Sequence, residues 1–288
     1  MTYKILITGA NGLLGKRAVL QLSKHHEVYA VVRNKPTDIV DNVHCLEINL
    51  SENWCVDDLP QDVDIVIHLA QSSKFRDFPD EALDIFNVNV NSTALLLDYA
   101  QKTKVKSFIY ASSGGVYGTG AKAFDENSSI IPNGDLGYYL GSKLCGEILT
   151  QNYASFMNVI TLRFFFMYGP EQDKSMLIPR LFEMIRNNQP ITLQGDTGIS
   201  INPIHVQDAV NALEKSLNLE ESFAFNIAGD GVFSLKEIAN MMGRVLNKEP
   251  LFNMEDSNPN HLIANIEEMK KNLISPNTSL EDGLKEFL

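Results

Sequence analysis

Cysteine is scarce. Cys45, Cys55 and Cys145 are the only three, an odd number at scattered spacings with no CxxC pair, so the chain offers no disulfide framework, no metal site and no redox pair. They fit a reducing cytoplasm. Basic charge is also short, with 24 Lys plus Arg against 36 Asp plus Glu and a net charge of -12. Without a basic cluster such a chain repels a phosphate backbone, and nucleic acid is not an expected partner. No apolar run approaches the ~20 residues that span a bilayer. Met1-Thr2-Tyr3-Lys4 passes directly into a strand-like run instead of a signal h-region, so neither membrane insertion nor export is expected.

What is present is ordinary globular material: 288 residues, 44% apolar and 21% charged, enough to bury a substantial core. The first half alternates short apolar runs with stretches of helical period, the pattern of βαβ units. Strands are predicted at Lys4–Thr8, Glu27–Arg33, Val43–Ile48, Val63–Leu69, Lys106–Ser112 and Val159–Phe165, and helices at Leu13–Lys24, Glu81–Thr103 and Tyr139–Phe156. Right-handed crossovers place those helices on both faces of a parallel sheet, a doubly wound α/β fold. After Gly169-Pro170 the pattern changes to a helix at Met176–Asn187, strands near Ile201–His205 and Phe223–Ala228, and a helix at Leu235–Leu246. The expected organisation is a cofactor domain over 1–168 and a smaller mixed α/β substrate lobe over 169–288, some of whose strands can return to the first domain.

Directly after the first strand comes Thr8-Gly9-Ala10-Asn11-Gly12-Leu13-Leu14-Gly15, leading into an amphipathic helix. Glycines there let the main chain approach a pyrophosphate, which sits on the exposed N–H groups and positive end of the helix. The Gly-x-x-Gly-x-x-Gly spacing resembles the fingerprint of the short-chain dehydrogenase/reductases. Segments described below resemble the extended, nucleotide-sugar epimerase/dehydratase branch of that family, over residues 3 to about 245. The resemblance implies a Rossmann sheet with Gly9, Asn11, Gly12, Leu13, Leu14 and Gly15 on the dinucleotide. Arg33 lies 18 residues after Gly15, where the NAD-bound relatives carry Asp, and a guanidinium there can pair with a 2'-phosphate. NADP is therefore the expected cofactor and NAD the alternative, although a solvated arginine at a strand end has the same sequence. Asn49-Leu50 resembles the family's Asp-Leu contact with adenine, and His68-Leu69-Ala70 the segment bordering the nicotinamide. His68 itself reads as a structural histidine at a strand end.

Tyr139-Leu140-Gly141-Ser142-Lys143 puts a phenol and an ammonium one helical turn apart. A phenol titrates near ~10 in water, and a neighbouring lysine cation favours its ionised form. Ala111-Ser112-Ser113-Gly114-Gly115-Val116-Tyr117-Gly118 resembles the family's Ser-Ser-x-x-Val-Tyr-Gly, with Ser113 at the catalytic hydroxyl position. Asn87 to Thr93 resembles its Asn-Val-x-Gly-Thr segment, which implies Asn89 near the active site. The roles implied are Tyr139 as acid–base, Lys143 as its electrostatic partner and holder of the nicotinamide ribose, and Ser113 as donor to the reacting oxygen.

The chain also departs from the family. The 4,6-dehydratases place Asp-Glu after the catalytic hydroxyl, and here Gly114-Gly115 stands there, so dehydration is not expected. Phe166 replaces a substrate-contacting Asn, and Ile201 replaces a diphosphate-binding Arg, so either another residue such as Arg180 or Arg186 holds the diphosphate or the substrate is not a nucleotide-sugar. The leading expectation is an NAD(P)-dependent oxidoreductase acting as 4-ketoreductase on a nucleotide-linked sugar. The alternative is an NAD-dependent nucleotide-sugar 4-epimerase, and the alternative of another class is a non-catalytic NADP-sensing binding protein. The resemblance further implies a homodimer pairing helices Glu81–Thr103 and Tyr139–Phe156.

Overall fold

The computed structural model describes residues 2–35 and 41–288. The first half runs β1 (Lys4–Thr8), α1 (Leu13–Leu22), β2 (Glu27–Val32), β3 (Val43–Glu47), β4 (Ile65–His68), α2 (Ala82–Phe86), α3 (Ser92–Lys102), β5 (Ser107–Ser113), α4 (Gly137–Gln151) and β6 (Asn158–Phe164). The second continues with α5 (Leu177–Arg186), β7 (Ile191–Gln194), β8 (Ser200–Ile201), α6 (Val206–Ser216), β9 (Phe223–Ile227), β10 (Phe233–Ser234), α7 (Leu235–Leu246), β11 (Phe252–Glu255), α8 (Glu267–Asn272) and α9 (Leu280–Lys285).

Seven parallel strands form the main sheet in the order β3-β2-β1-β4-β5-β6-β9, the doubly wound arrangement, in which the order reverses beside β1. Its central strands are apolar without alternation because helices cover both faces. Ile5 and Ile7 face a core shared with α1 and α6, while Leu6 and Val66 face a second core under α3. A third core, containing Tyr168, Phe182, Leu193, Ile201 and Ile238, belongs to the outer lobe. The chain after residue 168 therefore serves two structures: β9 extends the main sheet beside β6, while α5, α7, α9 and the short β7–β11 and β8–β10 pairs build the lobe. Among the described residues no helix is long and apolar enough to cross a membrane.

Two expected elements are corrected. The helix expected over Glu81–Thr103 is broken by a π-turn at Asn87–Asn91, where Asn89 turns inward and Ser92 and Thr93 donate to the carbonyls of Val88 and Asn89. Single π-turns of this kind recur at functional sites. The strand expected over Ile201–His205 pairs only at Ser200–Ile201, because Pro203 has no N–H to give a ladder and the Asn202 side chain is spent on Gly229 and Ala264.

Candidate active site

The carboxyl ends of β1, β4 and β5 open onto two connected hollows. A groove of ≈ 320 Å³ runs past Gly12, Arg33, Asn49 and Leu69. A cleft of ≈ 780 Å³ continues from it past Ser113, Tyr139 and Lys143 to Phe166 and Met176 in the second lobe. Gly9, Asn11, Gly12, Arg33, Leu69, Gln71 and Ser73 line both, so one extended ligand can lie along the pair.

The turn after β1 shows why it needs glycine. Gly9 sits at φ +68°, and a Cβ there would come 2.7 Å from the Ala70 nitrogen, while one on Gly15 would come 2.2 Å from the Gly9 oxygen. Those two glycines let the turn fold against itself. A Cβ on Gly12 would meet nothing closer than the Gly9 oxygen at 3.2 Å, which leaves its outer face open beside the first turn of α1. That is a cradle for a pyrophosphate. Leu13 and Leu14 line the cleft with it, and Asn11 donates to the Asn34 carbonyl at 3.0 Å. At the far end Arg33 is exposed and donates to Ser73 Oγ at 3.3 Å. The Asn49 amide is already engaged, accepting from Ser51 and donating to Glu52 Oε1 at 2.7 Å, while Leu50 and Ala70 line the groove beside it.

Tyr139 and Lys143 lie one turn apart on α4, and Ser113 ends β5 opposite them. Tyr139 Oη donates to Gln71 Oε1 at 2.9 Å, and Lys143 Nζ donates to the Ala111 carbonyl at 2.9 Å. Burial pushes the phenol up to about 12, with Ser113 opposing it. Burial also lowers the ammonium to about 8, with Glu147 opposing it one turn farther along α4. The expected lowering of the phenol is therefore reversed: burial raises it, and the group opposing that rise is Ser113, not Lys143. His68 is fully buried between Thr8 Oγ1 and Thr93 Oγ1 at 2.6 and 3.0 Å, and burial lowers it to about 3. It is a neutral structural histidine.

Some expected site residues stand elsewhere. Asn89 is 1% exposed and off the cleft, donating to Ser142 Oγ and accepting from the Ser72 N–H, both at 2.9 Å; it fixes the start of α4 against the loop after β4. Ile201 is fully buried in the second-lobe core, so its side chain cannot touch a ligand. Arg180 is exposed outside the cleft, and Arg186 pairs with Glu183. Phe166 does line the cleft, at φ +41°. Sequence reasoning overlooked Gln71, which sits in a loop without periodicity, and Glu147, whose i+4 spacing from Lys143 was a usable signal. Glu147 also holds Arg163 in a buried pair with N–O distances of 2.8 to 3.3 Å.

The family model described as NAD dependent epimerase/dehydratase family matches residues 5–228. The uncharacterized UDP-glucose epimerase YtcB of Bacillus subtilis (strain 168) is 28% identical over 98% of this chain and 95% of its own length. Human dTDP-D-glucose 4,6-dehydratase is 27% identical over 73% of this chain and 64% of its own. Among solved structures, UDP-glucuronic acid 4-epimerase from Bacillus cereus, in complex with UDP-glucuronic acid and NAD, superposes with a TM-score of 0.86 at 27% identity, covering 98% of this chain and 97% of that one. MoeE5 in complex with UDP-glucuronic acid and NAD gives 0.85 at 26% identity, covering 99% and 97%.

Proposed function

The chain belongs to the NAD dependent epimerase/dehydratase family, and we propose that within it the protein is an NAD-dependent 4-epimerase of a nucleotide-linked sugar. The observation that carries this reading is a single acid–base centre, Tyr139 with Ser113 and Lys143, with Gly114-Gly115 where a second pair would stand. A Cβ on Gly114 would meet the Phe165 ring at 2.4 Å, and one on Gly115 the Leu140 side chain at 2.7 Å. The Asp-Glu pair that eliminates water is absent here, with Phe165 and Leu140 packed over the two glycines in its place, which supports a reading apart from the dehydratase relatives. The likeness to two sugar-bound, NAD-bound structures over nearly the whole chain supports epimerisation over net reduction.

A bound nicotinamide dinucleotide would supply the hydride acceptor and donor. Gly12 and the first turn of α1 would hold its pyrophosphate, and Arg33, Asn49 and Leu50 would border its adenosine. Tyr139 takes the proton of the sugar hydroxyl as its carbon is oxidised and returns it when the other face is reduced. Ser113 hydrogen-bonds the same oxygen in both directions. With the phenol held at about 12, Tyr139 rests protonated at neutral pH and must give up that proton before it can act as a base; Lys143, lowered to about 8, is mostly charged there.

Arg33 favours a second reading, a 4-ketoreductase using NADPH, because its exposed guanidinium stands where a 2'-phosphate would arrive. Calorimetric titration with NADH and NADPH, followed by product analysis with UDP-glucose and UDP-glucuronate, tests the two. NAD binding and C4 inversion without net cofactor use support the epimerase. NADPH preference, with stoichiometric reduction of added NADP as the C4 hydroxyl of either sugar is oxidised to a ketone, moves the ketoreductase into first place. A homodimer is proposed through α2 and α4, which expose Leu83, Phe86 and Ile148; light scattering at the monomer mass would overturn it. The free Cys45, Cys55 and Cys145 support a cytoplasmic location.

A further inference from the structure

The second-lobe end of the cleft contains Glu171 and Asp173 but no cation among its described lining residues. Ile201 is sealed in the lobe core, Lys143 is held at the Ala111 carbonyl, and Arg33 lies at the adenosine end beside Ser73. Of the other cations nearby, Lys16 pairs with Glu171, Lys74 with Glu81, and both Lys174 and Arg186 with Glu183, while Arg17 is held by the Leu13 and Pro170 carbonyls outside the cleft lining. A substrate carrying a diphosphate would enter a cleft of the wrong sign unless one more positive group serves it.

Arg76 meets that need. It stands on the loop between β4 and α2, at the rim of the cleft. Its Nη1 donates to the Ser175 carbonyl at 3.2 Å and Ser175 Oγ at 3.0 Å, and its Nη2 approaches Met176 Sδ at 3.5 Å. These acceptors are neutral, although Asp173 lies near enough for the guanidinium to favour its carboxylate, and Asp173, Ser175 and Met176 line the cleft. The guanidinium also lies 4.9 Å over the Phe75 ring, whose centroid is in turn 4.9 Å from that of Tyr139. One aromatic side chain therefore touches both the arginine and the acid–base residue. A guanidinium has five N–H donors, and here Nε–H and one Nη2–H have no partner among the described residues, leaving a fork suited to an oxyanion.

Resting on the nucleotide-sugar reading, we infer that Arg76, held at the Ser175–Met176 edge of the cleft, binds an oxyanion of the substrate and supplies the positive charge that the lobe end of the cleft lacks. The oxyanion is the diphosphate or a carboxylate on the sugar. Both accept the same paired N–H bonds, and an anion docked there would tie the loop after β4 to the second lobe. Arg76 is a substrate-binding residue and takes no part in moving the proton.

Calorimetry on the NAD-loaded protein with uridine, UDP, UDP-glucose and UDP-glucuronate tests this, using wild type, Arg76→Ala and Arg76→Lys. For a diphosphate contact, Arg76→Ala weakens UDP and both sugars by about 10- to 100-fold and leaves uridine unchanged. For a carboxylate contact only UDP-glucuronate weakens. In either case Arg76→Lys recovers part of the loss, and NAD affinity and Tm do not move, since Arg76 is exposed at the rim. Equal binding of all four ligands by wild type and Arg76→Ala would overturn the inference while sparing the nucleotide-sugar reading. Failure of the wild type to bind UDP or either sugar, with NAD binding intact, would overturn that reading itself.

Discussion

The two halves of the cleft are built by different means. On the sheet side the wall is backbone: Gly9 and Gly15 fold a turn so tightly that a Cβ on Gly15 would fall 2.2 Å from a carbonyl oxygen, and the groove takes its shape from strand ends that the sheet register fixes. On the lobe side the wall is made of side chains, Phe166, Met176 and Leu177, carried on a core that owes little to the sheet. A ligand common to a whole family can be held by the first kind of wall. A substrate that differs among members needs the second, where an exchange at a cleft-lining side chain such as Phe166 or Met176 changes the surface offered while the sheet stays as it is.

The largest effect expected falls on the sheet side. Tyr139→Phe should lower turnover by about 10²- to 10⁴-fold while leaving dinucleotide binding and Tm intact, measured by initial rates and calorimetry; unaltered turnover would remove the acid–base assignment and revive a sensing role. Ile201→Arg is the matching test on the lobe side. Burying an unpaired cation at a site with 0% exposure should cost about 3–5 kcal/mol in denaturant unfolding, with no gain in UDP affinity. A stable, tighter-binding variant would show that side-chain identity at this position reaches the ligand after all.

Gly15→Ala and Gly12→Ala sharpen the contrast within the turn. The first should destabilise the protein by about 1–3 kcal/mol, because backbone must move. The second should keep its Tm and lose dinucleotide affinity, because its Cβ projects into the space kept for the pyrophosphate. Identical behaviour of the pair in melting and titration would contradict the separation of packing from binding.

The smallest effect is acid sensitivity at His68. Its folded pKa of about 3 lies below the ordinary value of 6.5, so the unfolded chain binds the extra proton between those limits. Stability from this group is complete above pH 6.5 and is lost as pH falls, by about 1.4 kcal/mol per unit. Between pH 7 and pH 5 the wild type should lose about 2 kcal/mol more than His68→Gln in urea melts; parallel curves would show that the histidine is not buried neutral.

The same division explains what could be read in the sequence. β1 and α7 lie at Lys4–Thr8 and Leu235–Leu246, as predicted, because an apolar run after the N-terminus and a Ser234–Glu237 capping box are local signals. The glycines and the Tyr139–Lys143 spacing are local too. The π-turn at Asn87–Asn91 adds one residue to a helical turn, which periodicity averages away. β7 alternates buried and exposed over only Ile191–Gln194, too short to register, and its partner β11 begins at Phe252. Gln71 and Arg76 lie in a loop whose contacts, Tyr139 and Ser175, are distant in the chain; only folding brings them together.

The most direct test of hydride withdrawal and return at a single acid–base centre uses a UDP-sugar, UDP-glucose or UDP-glucuronate, deuterated at C4, with the NAD-loaded enzyme and NMR analysis of the product. The account predicts inversion at C4 with the deuterium still on that carbon and no rise in reduced cofactor. Loss of the label to solution cofactor, or a sugar whose C4 configuration never changes, would contradict it.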